Sequence, residues 1–236
     1  MGRPLFLLLC AISALRPETE PLQEKNGAEA QFRALEKRLL DADSVSVEID
    51  IETSFNSQPP NQLKLNAVWQ RDNKLKYSID VAVGAATVTQ TAVSDGKQLR
   101  VTGEDKPVRK ATRADLFRIM SGSLSRAGAV ATIPIVIEGD RPNQPFDKRY
   151  KVSGFELGKK AITGDRETQE IFYIVEFLGG KAKGTLWIDL ATGLPVKRAF
   201  VLTAKNEVTK YLETISKLRF NDKLDPKMFD LPPKDE

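Results

Sequence analysis

The chain has 236 residues, 41% of them hydrophobic and 29% charged, with a formal net charge of +4. That is an ordinary globular composition, long enough for a sizeable core, and one domain is the default expectation. The sequence has no histidine and a single cysteine, Cys10, which excludes Ser–His and Cys–His nucleophilic sites and removes the usual zinc and iron–sulfur ligands. Lys and Arg are scattered in short pairs such as Lys74/Lys76, Lys159/Lys160 and Lys181/Lys183. They fit the solvated face of alternating strands and form no nucleic-acid arm; contact with an anionic membrane surface is the lesser reading.

Arg3 is followed by the apolar run from Pro4 to Ile12 and the small residues Ser13 and Ala14. A basic start, a short apolar core and a small-residue end predict a secretory signal peptide over 1–14. The run is too short to span a bilayer, which takes about 20 residues. Cys10 follows Leu7-Leu8-Leu9, the rough outline of a lipoprotein cleavage site, but Leu9 stands where a small residue belongs. Residues 15–26 are polar and proline-containing and read as a linker.

Ala28, Phe32, Leu35 and Leu39 then recur at helical steps, which predicts an amphipathic helix over about 27–41. The period next falls to 2. Val45, Val47, Ile49 and Ile51 alternate with polar residues, then Leu63, Leu65, Ala67 and Trp69, then Leu75, Tyr77, Ile79, Val81 and Val83. These are half-buried strands, separated by turns at Gln58–Asn61 and Arg71–Asn73. Val88 to Val93 is a weaker strand, and Ser94-Asp95-Gly96-Lys97 is a hairpin signal leading to Leu99 and Val101. Thr112 and Asp115 suggest a capped helix at 112–127 with Leu116, Phe117, Met120 and Leu124 on one face. That segment reads equally as a connection between two halves of a sheet or as a movable lid.

Strands return at about 150–157, 160–167, 170–178, 183–190, 195–204, 207–213 and 214–221. Ile171-Phe172-Tyr173-Ile174-Val175 is apolar on both faces and predicts a central strand. Asp225-Pro226 and Pro232-Pro233 mark an extended tail. The fold expected is mainly β with two or three helices. Its curved antiparallel sheet forms an incomplete β-barrel covered by a helical lid, in a single domain over 27–233.

The stretch from Gly184 to Pro232 resembles the C-terminal half of the periplasmic outer-membrane lipoprotein carrier and lipoprotein-sorting superfamily, which includes DUF2092-like predicted periplasmic proteins. The resemblance rests on Trp187-Ile188-Asp189, Thr192-Gly193-Leu194-Pro195, Asp225-Pro226, Phe229 and Pro232, with Ser94-Asp95-Gly96-Lys97 at the position of an Asp-Gly hairpin. It implies an incomplete barrel whose concave apolar face, closed by helices, binds acyl chains or lipoproteins. The best-known carriers have a Trp-x-x-Arg-Pro segment whose Arg helps latch the lid. Here it reads Trp69-Gln70-Arg71-Asp72-Asn73, with the Arg one residue early and no Pro, so Arg71 is a latch candidate shifted to the other strand face.

The function expected is therefore an exported, non-catalytic carrier or chaperone in the periplasm or cell envelope. It would hold acyl chains of lipid or lipid-modified protein, and it would touch an envelope membrane surface. Trp69, Tyr77, Ile79, Leu116, Phe117, Met120, Trp187 and Phe200 are the candidate lining residues. No catalytic residue, metal, cofactor or nucleic-acid partner is expected. An envelope sensor or interaction protein on the same fold is the second reading, and a carboxylate-dependent hydrolase the third.

Overall fold

The computed structural model describes residues 22–56, 58–83, 86–102, 109–111, 150–177, 180–204 and 207–232. The expected signal peptide with Cys10 lies outside them, as does the 112–127 segment with Leu116, Phe117 and Met120. The described residues hold one α-helix, where two or three were expected, and a 3₁₀ turn near the C-terminus.

Helix α1 (Leu22–Asp41) starts inside the stretch expected to be linker. It runs straight through Gly27, where an added Cβ would lie 3.5 Å from the Leu157 side chain, so the helix passes close to the sheet. Ala28, Phe32 and Leu35 form its buried stripe, as the spacing predicts. Arg33 ties its flank through Glu36 at 2.7 Å and Glu29 at 3.4 Å.

The strands follow in chain order: β1 (Ser44–Phe55), β2 (Asn61–Gln70), β3 (Lys74–Val83), β4 (Ala86–Asp95), β5 (Gln98–Val101) and β6 (Arg109–Lys110), then β7 (Tyr150–Thr163), β8 (Arg166–Phe177), β9 (Gly180–Asp189), β10 (Pro195–Ala204) and β11 (Glu207–Phe220). They form one sheet in the order β6-β5-β4-β3-β2-β1-β11-β10-β9-β8-β7. Two meanders therefore meet along the β1–β11 seam, where Val45 faces Phe220 and Ile51 faces Glu213. β6 and β7 are the two outer strands, so the barrel is incomplete.

Bulges bend the sheet. The β1–β11 register shifts at Glu48/Ile49, and β7–β8 shifts at Ser153/Glu156 and again at Leu157/Lys160. The last two correct the reading of two strands over 150–167. Gly158 is no turn: a Cβ there would lie 2.7 Å from both Glu170 and Phe172, so the glycine lets those side chains lie against the backbone. The true hairpin end is Gly164-Asp165, with Gly164 at φ +64. β11 likewise runs unbroken where two strands were expected, its bulge absorbing the change of phase.

The expected turns are chemically explained. Asp72 and Asn73 take φ of 71 and 62, the left-handed region that Asp and Asn tolerate. Gly96 has φ +100, and a Cβ there would sit 2.6 Å from the Asp72 carbonyl oxygen. Asp95 accepts hydrogen bonds from the Gln98 and Lys97 N–H groups, which hold its carboxyl below the ordinary range.

The tail crosses the outer face. Asn221 (φ 59) accepts from the Asp43 N–H, Asp225 caps the 3₁₀ turn Pro226–Phe229, and the buried Phe229 ring lies under Lys74. The Pro232 carbonyl accepts from Arg100 on β5. The Asp-Pro…Phe…Pro pattern is thus a strap over the outside of the first meander.

Candidate functional site

Strand alternation sends Val45, Val47, Ile49 and Ile51 to the inner face, and the registers carry that phase across the sheet. Val45 stands opposite Trp69, Trp69 opposite Leu75, Ala67 opposite Tyr77 and Leu65 opposite Ile79. All belong to one buried cluster with Phe32 and Leu35 of α1. Trp69, Tyr77 and Ile79 therefore lie together on the inner face, as their spacing predicts. Phe200 packs against the same cluster from β10.

Trp187 is elsewhere. Leu186 and Ile188 take the inner phase of β9, which turns Trp187 to the outer face. Its indole N–H donates to Glu170 Oε1 at 3.0 Å, and Lys197 stands over the ring at 5.4 Å. The Trp-Ile-Asp…Thr-Gly-Leu-Pro motif has a local role. Asp189 accepts from the Ala191 N–H at 2.9 Å and the Thr192 hydroxyl at 2.8 Å, which lowers its pKa, and Gly193 turns at φ +67.

Arg71 joins the β2–β3 turn to the end of α1. Its guanidinium donates to the Asp41 carbonyl at 3.2 Å and the Ala42 carbonyl at 3.5 Å, and pairs with Asp43 at 3.1 Å. The contacts of the latch candidate among the described residues are thus with α1 and its exit.

One inner-face group was not singled out from the sequence. A polar row crosses β8, β9, β10 and β11: Tyr173 faces Gly184, and Leu186 next along β9 faces Arg198, which faces Glu213. The Tyr173 ring lies flat on Gly184, where an added Cβ would come within 2.2 Å of it. Its hydroxyl thereby reaches over β9 to Arg198 Nη1 at 3.5 Å. Arg198 Nε donates to Glu213 Oε2 at 3.2 Å, with the side chains only 5% and 1% exposed. Phe200 lies 5.6 Å from the guanidinium. Burial pushes the Glu213 carboxyl up to about 8, against the pull of Arg198, and pushes the Tyr173 hydroxyl up as well. A signal existed: Val196, Arg198, Phe200 and Leu202 share one phase, as do Tyr211, Glu213 and Ile215. Arg198 and Glu213 thus stand in phase with apolar inner-face residues, and their charges are opposite.

Beyond this row the inner face opens. Phe200 and Tyr211, with ring centroids 6.4 Å apart, and Leu202 are half-buried, and Phe55 at the end of β1 is 39% exposed. Two cavities among the described residues, of ≈ 310 Å³ and ≈ 240 Å³, are instead lined largely by outer-phase polar side chains such as Asp50, Glu52, Lys64, Asn66 and Lys76. Among the described residues no helix is long and apolar enough to cross a membrane, and no acidic cluster could hold a metal ion.

No protein-family model and no curated protein matches the chain. Among solved structures it is similar to LprF from Mycobacterium bovis, at TM-score 0.44 and 13% identity, over 82% of this chain and 93% of that one. A LolA superfamily protein from Nitrosomonas europaea aligns at TM-score 0.36 and 12% identity, over 86% and 97%. A chain of the Pseudomonas aeruginosa MucA/MucB complex aligns at TM-score 0.40 and 12% identity. That match covers 87% of this chain but 61% of the other, so the chain spans less than two thirds of that protein's matched chain.

Proposed function

We propose that the protein is an exported binding protein that takes acyl chains of a lipid or lipid-modified protein onto the inner face of its open sheet, without catalysis. The observation that carries this reading is the partly uncovered apolar margin formed by Phe55, Phe200, Leu202 and Tyr211. It is continuous with a buried apolar face that a closed core would not leave open at one end. Each methylene moved out of water contributes about 0.8 kcal/mol, so an acyl chain binds such a margin with few polar contacts.

The test is native mass spectrometry of the protein purified from its source envelope, beside a delipidated control titrated with a fluorescent acyl probe. Co-purifying lipid and saturable probe uptake are expected, with uptake reduced at least tenfold by Phe200→Asp in a protein that keeps its β-sheet circular dichroism. Neither bound lipid nor probe uptake would reject the reading and favour an interaction protein on the same fold.

A further inference from the structure

The Arg198–Glu213 pair is an expensive thing to bury. Burying a guanidinium beside a carboxyl costs several kcal/mol unless every donor and acceptor is satisfied. Here one contact of 3.2 Å joins them. Arg198 Nη2 and Glu213 Oε1 are both buried and have no hydrogen-bond partner among the described residues. Buried polar atoms are nearly always paired, so two orphans on one buried pair call for a reason. A core built only for stability is better served by apolar residues of the same volume.

The orphans define what completes them. Nη2–H is a donor. Oε1 is an acceptor when Glu213 is ionised and donates when the carboxyl carries its proton there. The partner must take up both atoms at once, sit beside a guanidinium, and connect to the apolar margin at Phe200. A carboxyl group has two oxygens, one to accept from the guanidinium and one to share a proton with the carboxyl. We propose that Arg198 and Glu213 bind the carboxyl head of a single-chain fatty acid, one oxygen accepting from Arg198 Nη2 and the other sharing one proton with Glu213 Oε1, with the acyl chain along Phe200 and Tyr211. The cluster then holds one positive charge, two carboxyls and one proton, and is neutral overall. This rests on the acyl-binding reading above and specifies the head group.

The raised pKa of Glu213 fits this arrangement, because the carboxyl holds its proton until about 8. The titratable groups facing it are Arg198 on β10 and Tyr173 on β8. β1 presents Ile51, β9 presents Leu186 and Gly184, and α1 presents the Phe32 ring to Tyr173.

The experiment titrates the delipidated protein with hexadecanoic acid and with its methyl ester, across pH. The acid is expected to bind at least tenfold tighter than the ester, with affinity falling about tenfold per pH unit above the ionisation of Glu213. Arg198→Met should remove the preference for the acid over the ester. Glu213→Gln, whose amide donates at any pH, should keep the preference and lose the fall at high pH. Equal binding of acid and ester by the native protein overturns the head-group assignment while leaving the acyl-binding reading standing. Binding of neither overturns both. If Arg198→Met does not fold, the native acid–ester comparison and the Glu213→Gln pH profile decide.

Discussion

The two meanders share one sheet and one alternating pattern, yet their inner faces are built differently. In the first, Val47, Leu65, Leu75, Tyr77 and Ile79 are each at most 5% exposed and form an apolar surface. In the second, the inner face of β8–β11 is crossed by Tyr173, Arg198 and Glu213, equally deep but imperfectly paired. Binary patterning alone produces the first kind of face. The second opposes folding with the desolvation of its charges, and a surface that costs stability is where a binding role is expected.

The sharpest way to break this contrast is to make the second face resemble the first. Glu213→Leu leaves a buried guanidinium without its acceptor and is expected to destabilise by about 3 kcal/mol. The double substitution Arg198→Met/Glu213→Leu removes both ends and is expected to return to the native stability or exceed it. Urea unfolding of the native protein, the single and the double variants measures this. A double variant less stable than the native protein would show the pair to be a net structural asset, and the distinction between the faces would fall.

A smaller effect tests how the row is assembled. Gly184→Ala places a methyl where the Tyr173 ring lies, an overlap at 2.2 Å. The ring must lift from β9, taking its hydroxyl from Arg198, at an expected cost of about 1–3 kcal/mol. Thermal unfolding checks it, and Tyr173→Leu in the same background should recover most of the loss. Failure of that second change to recover stability would place the strain in the β9 backbone rather than in the ring.

Much of this was legible in the sequence, and what was missed has physical causes. The alternation in β1–β3 gave strands, phase and core together, because one face is wholly apolar and a register slip would expose it. The turns at Arg71–Asn73 and Ser94–Lys97 were legible because Asp, Asn and Gly there supply the left-handed backbone. β7 was split at 157/160, where the chain in fact continues and Gly158 serves close approach to Glu170 and Phe172, which no spacing rule reveals. Trp187 was an ambiguous lining candidate, because its neighbours Leu186 and Ile188 claim the inner phase, and the structure turns it outward. Arg198 and Glu213 were passed over because acidic and basic residues on alternating strands were taken to face water. Their phase, matching Phe200 and Ile215, marked them as inner, but only the pairing of β10 with β11 brings the two charges together.

The smallest effect separates the faces without altering a contact. Glu213 holds its proton to about 8 in the folded protein, from an ordinary value of 4.5. Between those values the unfolded chain has released a proton that the native state retains. The unfolded state therefore binds fewer protons, and stability falls as pH rises across that window and levels off above it. The slope reaches at most about 1.4 kcal/mol per pH unit. Asp95 and Asp189, whose carboxyls are lowered by turn hydrogen bonds, act with the opposite sign: they stabilise above the ordinary carboxylate range, and that stabilisation is lost as pH falls through their folded values. The apolar inner face of β1–β3 adds no such dependence, since its side chains there do not ionise in this range. Glu213→Gln isolates the effect, because every other titration is common to both proteins and cancels in the difference. The expected result is a gain in relative stability of Glu213→Gln over the native protein that grows from acid toward pH 8. Parallel profiles would mean that Glu213 is ionised throughout beside Arg198. The row would then be an ordinary buried ion pair, with no retained proton to share with a ligand.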